Sequence, residues 1–413
     1  MGDSIDRAYV DLVRRLVEEE DFFGRAQRND LERRYPAENI AALKAVGVPG
    51  MAVACRHGGP GHTVATQTKV IEDISYGDPS TAACVNMHWV VADIIHEHAD
   101  ELPAQAALLR DCVQRGAMFA GGAAIPADVL DASRCGARFR RVRGGWLGSG
   151  RVGFATNSEG ASYVGTIAAV VGEDDEPVGR NILVLNPPLD TPGIRVIRDW
   201  DAMGLRGSAT HTILIENAFV GPEHAFEVDL DTLRNSTRAA GRAASVSVRR
   251  ARSQIAKGGM WLGHCRRIRD LLTALLRQRR GSGSVAVRGT PQGSRAEAAW
   301  AQAELGNLVH WVDSGRLVLY ASVAEIEDRN LDPVVRAQRL LTTMYHMRRM
   351  CEEVATSTFR LAGAHGFVAA RPIERTYRDL MGFVATSYKA PDLVENIGRA
   401  ALGLPFVLNA AGG

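Results

Sequence analysis

The chemistry-bearing residues of the chain fall into three groups. Two hydroxyl-rich turns come first: GRVGFATNS sets Phe154 and Thr156 at the end of an apolar run, and GLRGSATH sets Gly207, Ser208 and Thr210 just ahead of another. Small hydroxyl residues next to glycine leave backbone and side-chain donors open to a ligand, and the same composition also makes an ordinary surface turn. A basic group follows, in which Arg238, Arg242, Arg249, Arg250, Arg252 and Lys257 crowd one helical stretch. Such a run of cations suits phosphates or an acidic partner helix, with a solvated face as the plainer alternative. The third group is RTYRDLMGFVATSYK, with an Arg378-Asp379 pair after which the next carboxylate is Asp392. An arginine-aspartate neighbour pair usually fixes its own helix. A proton acceptor in this region therefore falls to Asp379, Asp392 or Glu395, or to no carboxylate at all.

Composition narrows the classes. The formal net charge of +2 gives no case for nucleic acid or an anionic membrane as partner. No run approaches eighteen apolar residues, so no membrane span is expected. The six cysteines (Cys55, Cys84, Cys112, Cys135, Cys265, Cys351) show no C-x-x-C spacing. Neither a disulfide framework nor a metal site is expected from them, and a reducing cytoplasm is the expected compartment. The start, MGDSIDRAYVDLVRRL, mixes acids with bases on an amphipathic helix and lacks the apolar stretch of a signal peptide. With 413 residues, 46% of them apolar, the chain can bury a large core and is expected to divide into a few units.

The elements that must position these groups follow from periodicity. IDRAYVDLVRRLVEEEDFF, NIAALKAV, HTVATQTKVIEDI, STAACVNMHWVVADIIHEH and LPAQAALLRDCVQ repeat apolar residues at helical spacing. From residue 119 the period changes to short β-branched or aromatic runs broken by Gly, Pro, Asn and Asp: GAMFAGGAAI, ARFRRVRGGWLGSGRVGFAT, SYVGTIAAVV, RNILVLN, GIRVIRDW and THTILIENAFV. Helical patterning returns over 232–280, 294–328, 331–363 and 373–387, long enough for an antiparallel bundle. The Gly/Ser-rich stretch RGSGSVAVRGTPQGS (280–294) reads as a loop. The expected architecture is mainly α with a central β-domain: helices over 1–118, a small sheet over 119–230, and a helical bundle over 231–413.

That order, together with RDWDAMGLRGSATHTILIENAFVGPEH (198–224), resembles the acyl-CoA dehydrogenase superfamily, whose hallmark is a glycine-arginine turn, a small hydroxyl residue, a strand and a V-x-P exit. HGGPGH, YGDPSTA with MHW (76–89), GRVGFATNS (150–158), RQRRG (277–281), LAGAHGF (361–367) and IERTYRDL (373–380) fall in the family's order, so the resemblance spans almost the whole chain.

The resemblance implies an FAD enzyme with an N-terminal helical domain, a small β-domain and a C-terminal four-helix bundle. It sets Thr156 beside the reactive nitrogen of the flavin, Phe154 against the ring, and Gly207, Ser208 and Thr210 near ring or pyrophosphate. Arg277 takes the place of the arginine that reaches the diphosphate of a neighbouring subunit's FAD, although Arg280 replaces the motif's phenylalanine. Gly363 and Gly366 keep two of the three glycines that approach the adenosine half, while Arg360 replaces a glutamine and Ala364 the third glycine. His365 is foreign to that loop. In GGAAIPADVLDAS (121–133) only Pro126 matches the family's earlier flavin strand.

In the family's dehydrogenases a glutamate takes the α-proton of an acyl thioester while hydride passes to the flavin. Both usual places for it hold serine here. One, nine residues after Arg378, is Ser387; the other, ten residues before Gly263, is Ser253. A displaced base at Glu395 is then the remaining carboxylate candidate. Relatives that are monooxygenases carry a histidine at the position of Thr386. The expected function is FAD-dependent oxidation of an acyl or aminoacyl thioester, with Arg249, Arg250 and Arg252 meeting the phosphates of CoA or a carrier protein. The alternatives are a two-component monooxygenase, supplied with reduced FMN or FAD by a reductase, and a scaffold without turnover. A homodimer or homotetramer is the implied assembly.

Overall fold

The computed structural model describes residues 5–121, 135–229, 248–278, 295–328, 330–369, 371–386 and 389–404. Six helices lead: α1 (Arg7–Glu19), α2 (Phe22–Glu32), α3 (Ala37–Ala45), α4 (Val64–Gly77), α5 (Pro79–His98) and α6 (Pro103–Gln114). Eight strands follow, β1 (Phe119–Gly121), β2 (Ala137–Val142), β3 (Gly145–Ala155), β4 (Tyr163–Val171), β5 (Pro177–Leu185), β6 (Ile194–Ile197), β7 (His211–Val220) and β8 (Ala225–Asp229). Among the described residues five more helices follow: α7 (Val248–Gln278), α8 (Ala299–Ile326), α9 (Pro333–Ala362), α10 (Pro372–Ala385) and α11 (Ala390–Ala401). No described helix is long and apolar enough to cross a membrane.

Local chemistry sets the boundaries. The run expected as one helix over residues 5–23 breaks at Asp21, which adopts φ +46° and caps α2 by accepting the Gly24 N–H at 3.0 Å. Asp78 caps α5 by accepting from Ser80, with Pro79 in the first turn, and Asp332 does the same for α9 ahead of Pro333. β8 was not anticipated. β8 pairs antiparallel with β5 and finds its place only through that neighbour, while α11 packs on α9.

The sheet runs β6-β7-β3-β2-β4-β5-β8, with β1 added parallel to β4. β2 also lies parallel to β4 and the remaining pairings are antiparallel. One apolar core runs unbroken from Val10, Ile71 and Trp89 in the early helices to Trp261, Leu319, Met347 and Phe383 in the late ones.

The junction within that core is α4 against α7. It is close because α7 turns glycines toward α4: a Cβ on Gly259 would lie 2.5 Å from the Thr68 carbonyl, and one on Gly263 2.0 Å from that of Glu72. By contrast, Gly306 on α8 has nothing within 4 Å of the corresponding position. Gly263→Ala is therefore expected to lose roughly 1–3 kcal/mol of unfolding free energy by overpacking. Gly306→Ala should gain about 0.5–1 kcal/mol from helix propensity, so urea unfolding of the two variants should move in opposite directions.

Candidate active site

β3 does not finish as a regular strand. Its register against β7 shifts between Val152 and Ala155, and Phe154 sits at φ +52°. A phenylalanine held there costs about 1–3 kcal/mol, a cost that rigid surroundings must meet. The bulge turns its ring outward, 69% exposed and edge-on to Trp200 at 6.3 Å. Open space lies beside it, since a Cβ on Gly153 would meet nothing within 4 Å.

Thr156, two residues on, is buried and exchanges backbone hydrogen bonds with Gly121 at 2.9 and 3.2 Å. Its hydroxyl lies 3.0 Å from that of Thr210, which lies 2.6 Å from that of Ser208. The Asn157 and Ser158 N–H groups donate to the carbonyls of Ser208 and Ala209. The two hydroxyl turns picked out in the sequence are thus one continuous hydroxyl chain, joined across more than fifty residues.

The 203–210 turn is wedged between α5 and α10. Leu205 at φ +54° donates its N–H to Asp379 Oδ1 at 2.7 Å, and its carbonyl accepts from Trp200 Nε1 at 3.0 Å. Arg378 Nη1 donates to the Met203 carbonyl at 2.8 Å. On the other side, Cys84 Sγ of α5 reaches the Ser208 carbonyl at 3.4 Å. A Cβ on Gly204 would sit 2.0 Å from the Arg378 carbonyl, which is why only glycine fits there. The arginine-aspartate pairing differs from that expected of neighbours. Asp379 pairs with Arg375 one turn earlier at 3.3 Å, and Arg378 turns to Asp30 at 2.6 Å and to Glu374. Successive helical residues point in different directions, so the Arg378-Asp379 neighbours never face each other. Burial raises the Asp379 carboxyl to about 6, against the opposing pull of Arg375. Asp379 is a structural fastener and is not placed to take a substrate proton.

On α7, Ser253 is buried against α5: its N–H donates to Asp93 Oδ2 at 3.1 Å and its carbonyl accepts from Asn86 Nδ2 at 3.0 Å. Nothing in the sequence marked Asn86 or Asp93, since both read as polar residues of an ordinary helix. Arg252 donates to the His62 carbonyl at 2.5 Å, so it holds the 55–62 loop, and its Nε is buried without a hydrogen-bond partner. The side chains of Arg249 and Arg250 lie outside the described residues, as do Ser387, Pro126, Arg238, Arg242 and Arg280. Arg277 is exposed in the last turn of α7. Gly363 ends α9 at φ +58°, a conformation suited to glycine, and Gly366 is buried in the 3-10 turn that follows.

Glu395 lies on the last described helix. It is 57% exposed on α11, with Arg399 at 3.9 Å, and α11 packs on α9. A charged cleft of about 790 Å³ borders the same sheet edge, lined by Tyr35, Glu159, Arg198, Trp200 and His211 among others. It includes none of Thr156, Ser208, Thr210 or Ser253, so it is distinct from the hydroxyl corner. Among the described residues no group of three or more His, Cys, Asp or Glu is arranged to hold a metal.

Comparison with known proteins adds the following. Residues 5–110 match the family model for the acyl-CoA dehydrogenase N-terminal domain, and residues 255–390 that for the acyl-CoA dehydrogenase C-terminal domain. YdbM of Bacillus subtilis (strain 168), whose name places it among acyl-CoA dehydrogenases, is 25% identical over 54% of this chain and 57% of its own length. L-evernosamine nitrososynthase of Micromonospora sp. is 25% identical over 96% of this chain and 90% of its own. The structure of the dibenzothiophene monooxygenase TdsC from Paenibacillus sp. A11-2 with FMN and indole superposes with a TM-score of 0.82 at 14% identity, covering 97% of this chain and 99% of that one.

The fastener makes a prediction about pH. A carboxyl raised on folding stabilises the fold most below its unfolded value near 4, and that contribution is lost as pH rises through about 6. Asp379→Asn keeps an acceptor for Leu205 N–H and removes the titration. Urea unfolding should show wild-type stability falling, relative to this variant, by up to about 3 kcal/mol between pH 4 and pH 7; a constant difference would refute the assignment.

Proposed function

The chain belongs to the acyl-CoA dehydrogenase family and is a flavin-dependent oxidoreductase, and on that premise we propose that it is a monooxygenase, which uses reduced flavin and dioxygen to oxygenate an aromatic or amine substrate. The observation that carries this reading is Ser253. α-Proton abstraction needs a carboxylate held at contact distance from an acyl thioester. By the family resemblance, Ser387 stands at one base position and Ser253 at the other if Gly263 is the matching glycine. A serine hydroxyl does not ionise near neutral pH, and the α5 groups that reach Ser253 are spent on its backbone. The nitrososynthase resembles the chain over nearly its whole length, which supports the same reading.

The corner fits a flavin. The exposed Phe154 ring offers an apolar plane, open space lies at Gly153, and the Thr156 hydroxyl stands beside them. Arg206, in the same turn as Ser208, keeps a buried Nε without a hydrogen-bond partner, a donor left over for an acceptor group. Phe154, Thr156, Ser208 and Thr210 would hold the ring, with Arg277, Gly363 and Gly366 on the phosphate and adenosine side if the flavin is FAD. When bound, the reduced flavin supplies two electrons, so that one atom of dioxygen enters the substrate and the other leaves as water.

The chain's own part is positional and protonic. The hydroxyls of Thr156, Thr210 and Ser208 form a short path along which a proton can shift by bond rotation. Assembly into a homodimer or homotetramer belongs to the same proposal. Phe367, 79% exposed, and the neighbouring Val368 give the Gly363–Gly366 turn an apolar surface for a second copy.

The expected result with reductase-supplied FMN or FAD is substrate-dependent oxygen consumption, with one oxygen-18 atom from labelled dioxygen found in the product. Thr156→Val should retain flavin and lower turnover by roughly tenfold to a hundredfold. Anaerobic bleaching of the bound oxidised flavin by an acyl thioester, without oxygen incorporation, would establish dehydrogenation instead.

A further inference from the structure

We propose that Tyr35 is a positioning residue for the flavin: through Asn157 it fixes the direction in which the Thr156 hydroxyl faces the bound ring. The proposal rests on the flavin site described above and adds a control that comes from the early helices, outside the two hydroxyl turns.

Asn157 follows Thr156 and holds its main chain at φ +71°, in the left-handed region that asparagine tolerates better than most residues. Its side chain is wholly buried, and both ends of the amide are bonded. Oδ1 accepts from the Tyr35 hydroxyl at 2.6 Å, and Nδ2 donates to the Phe119 carbonyl of β1 at 3.2 Å. The Asn157 N–H donates to the Ser208 carbonyl at 3.0 Å, while the Thr156 carbonyl, on the same peptide unit, accepts from the Gly121 N–H at 3.2 Å. The peptide between Thr156 and Asn157 is therefore pinned along both edges. What freedom remains to Thr156 is rotation of its own side chain, and the Thr210 hydroxyl at 3.0 Å sets that.

Tyr35 belongs to the link between α2 and α3 and reaches Asn157 across 122 positions of sequence. Gly160 makes room for it: a Cβ there would lie 1.8 Å from the Tyr35 hydroxyl oxygen, and the Gly160 N–H donates back to the Asn157 carbonyl at 3.1 Å. Burial above all, with Cys84 and Glu159 adding to it, raises the phenol well above its usual range, so it keeps its proton and stays a donor throughout neutral pH. Removing the phenol oxygen would leave Asn157 Oδ1 buried without a donor. An amide so placed turns to find another, and the peptide that carries Thr156 turns with it.

Tyr35→Phe keeps the ring and deletes only the oxygen. In anaerobic titrations of the full chain with FMN, oxidised and then reduced, this variant is expected to bind about threefold to tenfold more weakly than wild type. The visible absorption band of the bound oxidised flavin should shift as well. Asn157→Gly, which accepts the left-handed backbone and removes the amide, should reproduce both changes. Combining either with Thr156→Val should add nothing further, because the effect travels through that hydroxyl. Tyr9→Phe deletes the bond from the Tyr9 hydroxyl to the Val46 carbonyl at 3.0 Å, so it controls for lost stability alone and should bind FMN as wild type does. An unchanged affinity and spectrum in Tyr35→Phe, an equal loss in Tyr9→Phe, or a loss that adds fully to that of Thr156→Val overturns the proposal. FMN uptake without oxygen incorporation counts against the monooxygenase reading alone, since the titrations need no turnover; no uptake by wild type overturns both.

Discussion

The bond from the Leu205 N–H to the buried Asp379 carboxylate fixes where everything else at the site stands. Leu205 and Ala209 hold left-handed backbone angles within one short turn, as do Phe154 and Asn157 in the turn that lies against it. Residues other than glycine keep such angles only when neighbours over-determine them. Here they do. The Leu205 N–H and carbonyl, and the carbonyls of Met203, Ser208 and Ala209, all have partners on other elements. Removing one bond would free a backbone polar group in a dry place and release stored strain together.

A charged fastener in a core is costly, and the structure shows how the cost is met. Asp379 accepts from Leu205 and faces Arg375, which in turn donates to Gln27 and lies over the Phe23 ring. The arrangement ties α10 to α2 and to the sheet edge at once. A hydrophobic replacement would fill the volume but leave the Leu205 N–H without an acceptor. Specific geometry at the turn, rather than net stability, is the physical return on burying these charges.

The second constraint is the glycine contact of α4 with α7. It holds α7 against α4, while α5 grips the backbone of Ser253. The bulge at the end of β3 completes the site from the other side by turning Phe154 out of the sheet and Thr156 into it. Apolar plane and hydroxyl chain thus come from segments distant in sequence, held by contacts within the protein.

Periodicity and capping chemistry made the helix, sheet, helix order legible in the sequence, because amphipathic spacing and residues such as Asp78-Pro79 act within one or two turns. The hydroxyl turns were legible through residue type, whereas the serines at the base positions follow from the family resemblance. The partner of Asp379, the union of Thr156 with Thr210 and the clamp on Ser253 were decided only by tertiary structure. Those contacts join residues up to 174 positions apart, and a chain's local preferences carry no record of which distant backbone group a buried carboxylate or hydroxyl will meet. β8 escaped for a related reason: a short strand draws its stability from the neighbour that pairs with it.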